Sequence, residues 1–318
     1  MAELGKHEKY EALIYACHAL APVRTIVAHP CDDSSLTGAI EAAEAKIIKP
    51  ILVGPEARIR ALAASLQLEL SGIELVDQPH SHASAEKAVQ LVRAGDADAL
   101  MKGSLHTDEL MAEVVRKDVG IRTERRISHV FIMDVPTYPK PLFITDAAVN
   151  IFPTLEDKVD IVQNAIELAH ALRIELPKVA ILSALETISS KIPSTIDAAA
   201  LCKMADRGQI TGGVLDGPLA LDNAISRDAA AIKRINSPVA GDADILLVPD
   251  LEAGNMLAKE LTFLANAVAA GIVLGARVPI ILTSRADSVQ TRMASCAVAA
   301  LYAHARRMTA ARIGKLVE

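Results

Sequence analysis

The sequence predicts an α/β protein of two domains, each built on a mostly parallel sheet covered by helices. Apolar strand segments alternate with amphipathic helical segments along the chain, which is the pattern of βαβ units. The 318 residues exceed the usual size of one domain. Hydrophobic residues make up 51% of the chain and aromatic residues only 3%. Small aliphatic side chains must therefore build the cores, as in sheets buried on both faces.

The first half of the chain alternates strands and helices with turn signals between them. Gly54-Pro55 closes the second strand, because this dipeptide strongly favours a turn. Alternation of this kind predicts parallel strands joined by right-handed crossovers. Strands are predicted at 24–28, 49–54, 73–76, 99–102, 129–133 and 142–145, and helices at 34–44, 56–66 and 84–94.

The second half repeats this style. Thr154 is a suitable N-cap for a long helix, with Asp157 three residues later. Short structured connections near 146–152 and 276–284 are expected to join the domains. Strands are predicted at 178–182, 213–216, 245–248 and 278–283, and helices at 155–172, 194–205 and 256–268.

Two predicted strands end abruptly in polar residues. The apolar run VPIILT leads directly into Ser284, Arg285 and Asp287, and the strand at 245–248 leads into PDLEAGN. Ligands of α/β proteins bind at the carboxyl ends of strands, and the arginine fork matches phosphate or carboxylate oxygens. One site between the two strand ends is therefore predicted. The alternative is an ordinary helix start, with Ser284 or Asp287 as the cap and Arg285 in solvent.

Composition and charge exclude several classes of protein. The net charge of −6 argues against a nucleic-acid-binding face. No stretch approaches 18 consecutive apolar residues, and the first residues lack an apolar signal core, so a cytoplasmic protein without a membrane span is expected. The cysteines form no metal-ligand spacing, and no metal site is predicted. They are Cys17, Cys31, Cys202 and Cys296.

Several segments carry a family resemblance. PDLEAGN at 249–255, followed by PIILTSRADS at 279–288, resembles the phosphate acetyltransferase/phosphate butyryltransferase family. Other segments agree in the family's order and extend the resemblance over most of residues 100–300, whereas the first hundred residues agree only in general character. They are KGSLHT at 102–107, RISHVF at 126–131, DAAVN at 146–150, DGPLALD at 216–222 and SPVAGDAD at 237–244.

The resemblance implies a particular architecture. It implies two three-layer α/β/α domains with a cleft between them, similar to the isocitrate and isopropylmalate dehydrogenases. The final helices, at 288–318, would fold back onto the first domain. The first domain would then comprise residues 1–147 and 280–318, and residues 148–279 would form an inserted domain that makes a homodimer.

The resemblance also implies a reaction, the reversible transfer of an acetyl group between coenzyme A and inorganic phosphate. Acyl-CoA, CoA, phosphate and acyl phosphate would be the ligands. No cofactor is expected, because coenzyme A is a substrate and the chain has no G-x-G-x-x-G loop.

Three alternatives remain open at this stage. A phosphate butyryltransferase would act on longer acyl-CoA, and a CoA-binding or acyl-phosphate-binding protein would lack catalysis. A metal-dependent decarboxylating dehydrogenase would need clustered carboxylates, for which the candidates are Asp216, Asp222, Asp242, Asp244 and Asp250.

Three catalytic residues are implied by the family motif. Arg285 would hold phosphate and stabilise charge in the transition state, and Ser284 would hydrogen-bond the sulfur or the acyl oxygen. Some family acetyltransferases are thought to use an Asp seven residues after this Ser as the base, where this chain has Thr291. Asp287 lies only three residues after Ser284, as in the SRADS motif of the butyryltransferase branch. An Arg found in many acetyltransferases is likewise replaced by Thr262.

Further residues are predicted to bind substrate because they adjoin strand ends or the predicted domain junction. Their polar groups or small size suit contact with phosphate and CoA. They are Lys102, Ser104, Arg126, Ser128, Asp146, Asn150, Gly254 and Asn255.

Overall fold

The structure is a computed structural model that describes residues 7–283 and 287–317. The helices formed by these residues are α1 (Glu8–Cys17), α2 (Asp33–Glu44), α3 (Glu56–Ser65), α4 (Ser81–Ala94), α5 (Thr107–Val115), α6 (Leu155–Ala171), α7 (Pro193–Asp206), α8 (Leu221–Ile225), α9 (Arg227–Ile232), α10 (Leu251–Leu264) and α11 (Val289–Val317). The strands are β1 (Val23–Ala28), β2 (Ile48–Gly54), β3 (Glu74–Asp77), β4 (Ala99–Lys102), β5 (Ser128–Asp134), β6 (Leu142–Thr145), β7 (Lys178–Leu182), β8 (Val214–Leu219), β9 (Ile245–Leu247), β10 (Val268–Leu274) and β11 (Ile280–Ile281).

The chain divides into two compact units. The central unit comprises Arg126–Ala269 together with the residues up to Lys9, and the terminal unit comprises Tyr10–Arg125 together with the residues from Ala270 onward. These boundaries differ from the predicted ones at 147/148 and 279/280. Residues 142–145 belong to the central unit because β6 pairs there with β9, a strand from the second half of the chain.

The terminal unit is built on strands in the order β3-β2-β1-β4-β11-β10. All neighbouring pairs are parallel except β10 and β11. Val23, Ile26, Val27 and Ala28 of β1 are all buried, as expected for a strand covered on both faces. The prediction of a mostly parallel α/β sheet is confirmed here.

The central unit has the strand order β5-β6-β9-β7-β8. Strands β5 and β6 are antiparallel, and the other pairs are parallel. Its core contains Met133, Ile144, Leu182, Leu246 and Val248, so the same sheet residues that read as apolar runs in the sequence form the interior. The carboxyl ends of β6 and β9 lie side by side, because Thr145 is the register partner of Leu247.

Two elements near residue 260 differ from the prediction. The helix predicted at 256–268 begins at Leu251, because the Asp250 side chain accepts a hydrogen bond from the Ala253 backbone and caps it. It ends before Asn266, whose φ of 52° is left-handed. Asn tolerates this conformation better than most residues and commonly follows a helix. The Ala-rich segment that follows is strand β10, because pairing within the sheet overrides its weak strand propensity.

Within the described residues, none of the helices combines the length and the apolar character that crossing a membrane requires.

Candidate active site

Asp146 organises the turn that follows β6. Its carboxylate accepts hydrogen bonds from the backbone N–H groups of Ala148 at 2.9 Å, Val149 at 3.0 Å and Asn150 at 3.2 Å, and from the Asn150 side chain at 2.5 Å. The side chain is buried. A carboxylate with several donors is well compensated for its burial. Asp146 therefore fixes the shape of the turn at residues 146–150.

Asn150 links this turn to Arg126 through hydrogen bonds. Its side-chain amide donates to the backbone O of Ile127 at 2.9 Å, and its Oδ1 accepts from Arg126 Nε at 2.7 Å. The Arg126 guanidinium also lies 3.3 Å from an Asp157 carboxylate oxygen, yet its side chain remains 52% exposed. Arg126 is thus an oriented cation at the surface of the central unit, and a cation of this kind suits an anionic ligand.

Gly254 and Asn255 lie near the start of α10, within the helix rather than before it. A Cβ at Gly254 would lie 2.7 Å from Val248 Cγ2 and 3.0 Å from the backbone O of Asp146, so only glycine allows this helix to pack so closely on the turn. Asn255 donates to the backbone O of Ala147 at 3.2 Å. The structure therefore places both residues against the turn at residues 146–150.

Ser128 and His129 open β5 and are buried. Ser128 Oγ accepts from the Asn164 side chain at 2.8 Å, and Asn164 also donates to the backbone O of Arg126 at 2.9 Å. These contacts give Ser128 a role in anchoring the segment that carries Arg126. Burial lowers the pKa of His129 to about 4, although the nearby charge of Asp146 raises it. His129 is consequently a neutral imidazole at physiological pH.

In the terminal unit, the carboxyl ends of β1 and β4 are tied together. Gly103 N–H donates to Ala28 O at 2.8 Å and Ser104 N–H to His29 O at 2.9 Å. A Cβ at Gly103 would lie 2.3 Å from Ala28 O, so this approach requires glycine. Lys102 is buried, and its ammonium donates to the Gly103 backbone O at 3.2 Å.

Ser104 continues the same connection between β1 and β4. Its hydroxyl donates to His29 O at 2.9 Å and accepts from the backbone N–H of Cys31 at 3.3 Å. Lys102 and Ser104 therefore border the turn that leads from β1 into α2.

The start of α11 follows the predicted catalytic motif. Ser284 and Arg285 lie outside the described residues. Asp287 is half-buried, and Ser288, not Asp287, caps the helix, because Ser288 Oγ accepts from the backbone N–H of Thr291 at 3.1 Å. Thr291 is buried, and its backbone O accepts from Ser295 Oγ at 2.7 Å. No carboxylate occupies the Thr291 position, which leaves Asp287 as the carboxylate next to the motif.

The aspartates considered as metal ligands have other partners. Lys178 lies 2.6 Å from Asp242, and Lys140 lies 3.1 Å from Asp242 and 2.8 Å from Asp244. Hydrogen bonding to Lys178, opposed by burial, leaves the pKa of Asp242 at about 2. Asp250 caps α10. Among residues 7–283 and 287–317, no three His, Cys, Asp or Glu side chains form a group suited to a metal ion.

Arg292, on α11, was not among the predicted residues. It is buried, and its guanidinium bonds Thr283 and Ser34. The sequence contained a signal, because Arg292 begins an otherwise apolar helical stretch, RMASCAVAALYA. An arginine on the buried face of a helix requires polar partners.

Polar groups at the carboxyl ends of strands in an α/β scaffold, with an oriented arginine among them, define a class of protein that binds anionic small molecules. Comparison with known proteins identifies the family within that class. A family model described as "Phosphate acetyl/butaryl transferase" matches residues 82–300. The chain therefore belongs to the phosphate acetyltransferase/phosphate butyryltransferase family, as predicted, and is an acyltransferase.

Individual relatives agree with this assignment. A phosphate acetyltransferase of Rhizobium meliloti is 70% identical over 94% of this chain and 95% of its own length. A phosphate butyryltransferase of Clostridium acetobutylicum is 44% identical over 88% of this chain and 93% of its own. Among solved structures, a branched-chain phosphotransacylase from Enterococcus faecalis V583 superposes with a TM-score of 0.77 at 31% identity, covering 89% of this chain and 99% of that one. These relatives do not favour the dehydrogenase alternative.

Proposed function

We propose that the protein is a phosphate acetyltransferase that converts acetyl-CoA and inorganic phosphate reversibly into acetyl phosphate and CoA. The observation that carries this proposal is the 70% identity to the Rhizobium meliloti phosphate acetyltransferase over nearly the full length of both chains. At that identity the choice of acyl group is also expected to be shared.

The chemistry assigns a role to each proposed residue. A phosphate oxygen attacks the thioester carbonyl, the C–S bond then breaks, and the CoA thiolate leaves and takes up the proton that hydrogen phosphate gives up. Arg285 orients the phosphate and stabilises the charge that develops, and Ser284 hydrogen-bonds the sulfur or the acyl oxygen. Asp287 is the candidate acid or base. Arg126 is proposed as a second cation for the anionic substrate.

The remaining proposed binding residues contribute in two ways. Lys102 and Ser104 in the terminal unit, and Gly254 and Asn255 in the central unit, are proposed to contact substrate, and Asp146, Asn150 and Ser128 are proposed to shape the backbone of the central unit. The hydrogen bonds of Asp146 and Asn150 support the shaping role, because these side chains hold the turn at residues 146–150 and orient Arg126.

We also propose the oligomeric state and the cellular location of the protein. Coenzyme A is a substrate, and no cofactor or metal is assigned to the reaction. The protein is proposed to act in the cytoplasm as a homodimer, on an architecture similar to the isocitrate and isopropylmalate dehydrogenases, with a cleft between two domains. The dimer interface is assigned to the inserted domain.

The direct test is phosphate-dependent release of CoA thiol from acetyl-, propionyl- and butyryl-CoA by the purified protein in EDTA. We expect the highest kcat/KM with acetyl-CoA, and arsenate should replace phosphate. No acyl-CoA loss with either anion would refute the proposal. A preference for butyryl-CoA would instead select the second candidate, phosphate butyryltransferase, which the SRADS motif at 284–288 favours.

The proposed catalytic motif is tested by substitution. Arg285→Ala should lower kcat/KM by roughly 10²-fold or more, and Arg285→Lys by less, because lysine keeps the charge but loses the planar fork. Ser284→Ala should lower kcat with little change in the thermal midpoint. Asp287→Asn tests whether this carboxylate transfers the proton, since that role predicts a large loss of kcat with little change in the thermal midpoint. Near-full activity of Arg285→Ala would remove this motif from the mechanism.

A further inference from the structure

Arg292 is a buried guanidinium that joins two separate parts of the terminal unit. Its side chain is 3% exposed. Nη1 donates to Thr283 Oγ1 at 2.9 Å and Nη2 donates to Ser34 Oγ at 3.1 Å. Thr283 follows β11, and Ser34 lies in the first turn of α2. The two arms of one planar group thus connect the end of a strand to the start of a helix.

The fold makes room for this side chain. Gly38 of α2 faces Arg292, and a Cβ there would lie 2.9 Å from Arg292 Cδ. Glycine inside a helix costs about 1 kcal/mol relative to alanine, so its presence at this contact has a local structural reason. The close packing of Gly38 fixes the stem of the arginine, while the hydroxyl groups fix its head.

A carboxylate lies beside the buried charge. Ser34 Oγ donates to Asp32 Oδ1 at 3.4 Å, and the same oxygen accepts from the backbone N–H of Ser35 at 2.8 Å. Burial raises the pKa of Asp32, but its hydrogen bonds with Ser35 and the charge of Arg292 lower it overall. The arrangement Arg292–Ser34–Asp32 is therefore a continuous polar connection from a buried guanidinium to two half-buried side chains.

We propose that Arg292 is a positioning residue for the acyl-transfer reaction. It holds Thr283, the residue immediately before the proposed catalytic pair Ser284 and Arg285, at a fixed place relative to α2. This inference rests on the function proposed above. Catalytic groups held by rigid neighbours keep the geometry that the transition state requires, and a displacement of about 1 Å can cost on the order of 10²-fold in rate.

The kinetic prediction separates positioning from general stability. Arg292→Met keeps much of the apolar stem and removes both hydrogen-bond arms, and it should lower kcat by roughly 10- to 100-fold while KM changes by less than about threefold. Arg292→Lys should recover part of kcat, because one ammonium can still reach a hydroxyl group. Arg307→Met is the matched control on the same helix, since Arg307 pairs at the surface with Asp98 at 3.1 Å. It should retain wild-type kcat.

A double-mutant cycle tests whether the Thr283 arm carries the effect. Thr283→Val removes that arm with little change in volume and should lower kcat on its own. In the Arg292→Met background it should have almost no further effect, because the interaction is already absent. Independent, multiplicative losses would overturn the proposal, and so would an unchanged kcat in Thr283→Val.

Hydrogen exchange supplies a readout that does not depend on activity. Backbone amides at Leu282, Thr283 and the first turn of α11 should exchange at least several-fold faster in Thr283→Val and Arg292→Met than in wild type, whereas β7 and β9 should be unaffected. If the wild type lacked acyl transfer, the proposed function would fail, and this exchange pattern would still decide whether Arg292 fixes the segment. Unchanged exchange at Thr283 would overturn the inference in either case.

Discussion

At the scale of the residue, the arginines occupy two different environments. Arg292 is buried and bonds two hydroxyl groups, whereas the Arg126 guanidinium is half exposed although Asn150 orients it. An oriented and accessible guanidinium is suited to bind an incoming anion, because its side-chain entropy is already reduced. The surrounding hydrogen bonds thus distinguish Arg126 from the nearby Arg122, which is also exposed.

We expect Arg126→Met to raise KM for phosphate or CoA by roughly tenfold, the value for loss of one charge-assisted contact of about 1.4 kcal/mol. The measurement is initial-rate kinetics with each substrate varied in turn. Arg122→Met is the control and should leave KM unchanged for both phosphate and CoA. Equal effects of the two substitutions would show that only the general positive charge of this region matters.

A second prediction at the residue scale concerns His129 and the pH dependence of stability. The pKa of histidine is about 6.5 in the unfolded chain and about 4 in the folded protein, because burial disfavours the charged imidazole. Between these values the unfolded chain binds more protons. The free energy of unfolding should therefore fall as the pH is lowered from about 6.5 toward 4, by on the order of 1–3 kcal/mol from this group.

Denaturant unfolding at pH 7 and pH 5 checks the contribution of His129. The difference between the free energies of unfolding at pH 7 and pH 5 should be smaller in His129→Gln than in wild type, because glutamine does not titrate. His106→Gln replaces an exposed histidine and should leave the difference as it is in wild type. An unaltered difference in His129→Gln would mean that other groups produce the acid sensitivity.

At the scale of the element, the start of α10 is defined by its contact with the turn after β6. Asp250 caps the helix, and Gly254 brings the helix backbone against Val248, Ala147 and Asp146. Asn255 then reaches the backbone of Ala147. The helix is consequently fixed to the turn at residues 146–150 near its N-terminus, where the Leu251 N–H donates to Ile151 O and the Ala253 N–H to the Asp250 carboxylate.

Gly254→Ala should destabilise the central unit by about 1–3 kcal/mol, because the added methyl group meets closely packed atoms. Since the helix would have to move away from Asp146, we also expect a lower kcat/KM. Thermal or denaturant unfolding measures the loss of stability, and the CoA-release assay measures the change in kcat/KM. Lys259→Ala on the exposed face of α10 is the control and should stay within about 0.5 kcal/mol of wild type.

At the scale of the whole molecule, large apolar side chains remain exposed on the central unit. Phe263 is 78% exposed and Leu264 is 81% exposed at the end of α10. Ile151, Phe152 and Met256 of the same unit are exposed as well. Exposed apolar side chains that lie together are typical of surfaces that associate with another protein, so we expect the adjacent Phe263 and Leu264 to lie in the proposed dimer interface.

Light scattering at micromolar concentration should therefore give twice the monomer mass of 33.7 kDa. Leu264→Glu should shift the population toward monomer if α10 lies in the interface, because a carboxylate would be buried without a partner. Tyr15→Glu changes an equally exposed residue of the terminal unit and should leave the dimer intact. A monomeric wild-type protein would exclude the proposed assembly.

Local patterns predicted much of the fold. The strand predicted at 99–102 is β4, and the capping box at Thr154 and Asp157 begins α6 as expected. These features depend on neighbouring residues, so the sequence contains the information directly. The strand β10 was missed because VAAGIVL has no strong local preference, and its state is set by its pairing with β11.

The sequence by itself determined the α/β class, the order of most elements and the family, because strand and helix periodicity and the ordered motifs are local properties. Only the tertiary structure decided how the polar side chains are used. Arg292 and Ser34 are separated by 258 positions, and Arg126 and Asn150 by 24. Such pairs form because buried polar groups must find partners wherever the fold brings them, and no local pattern specifies which partner that will be.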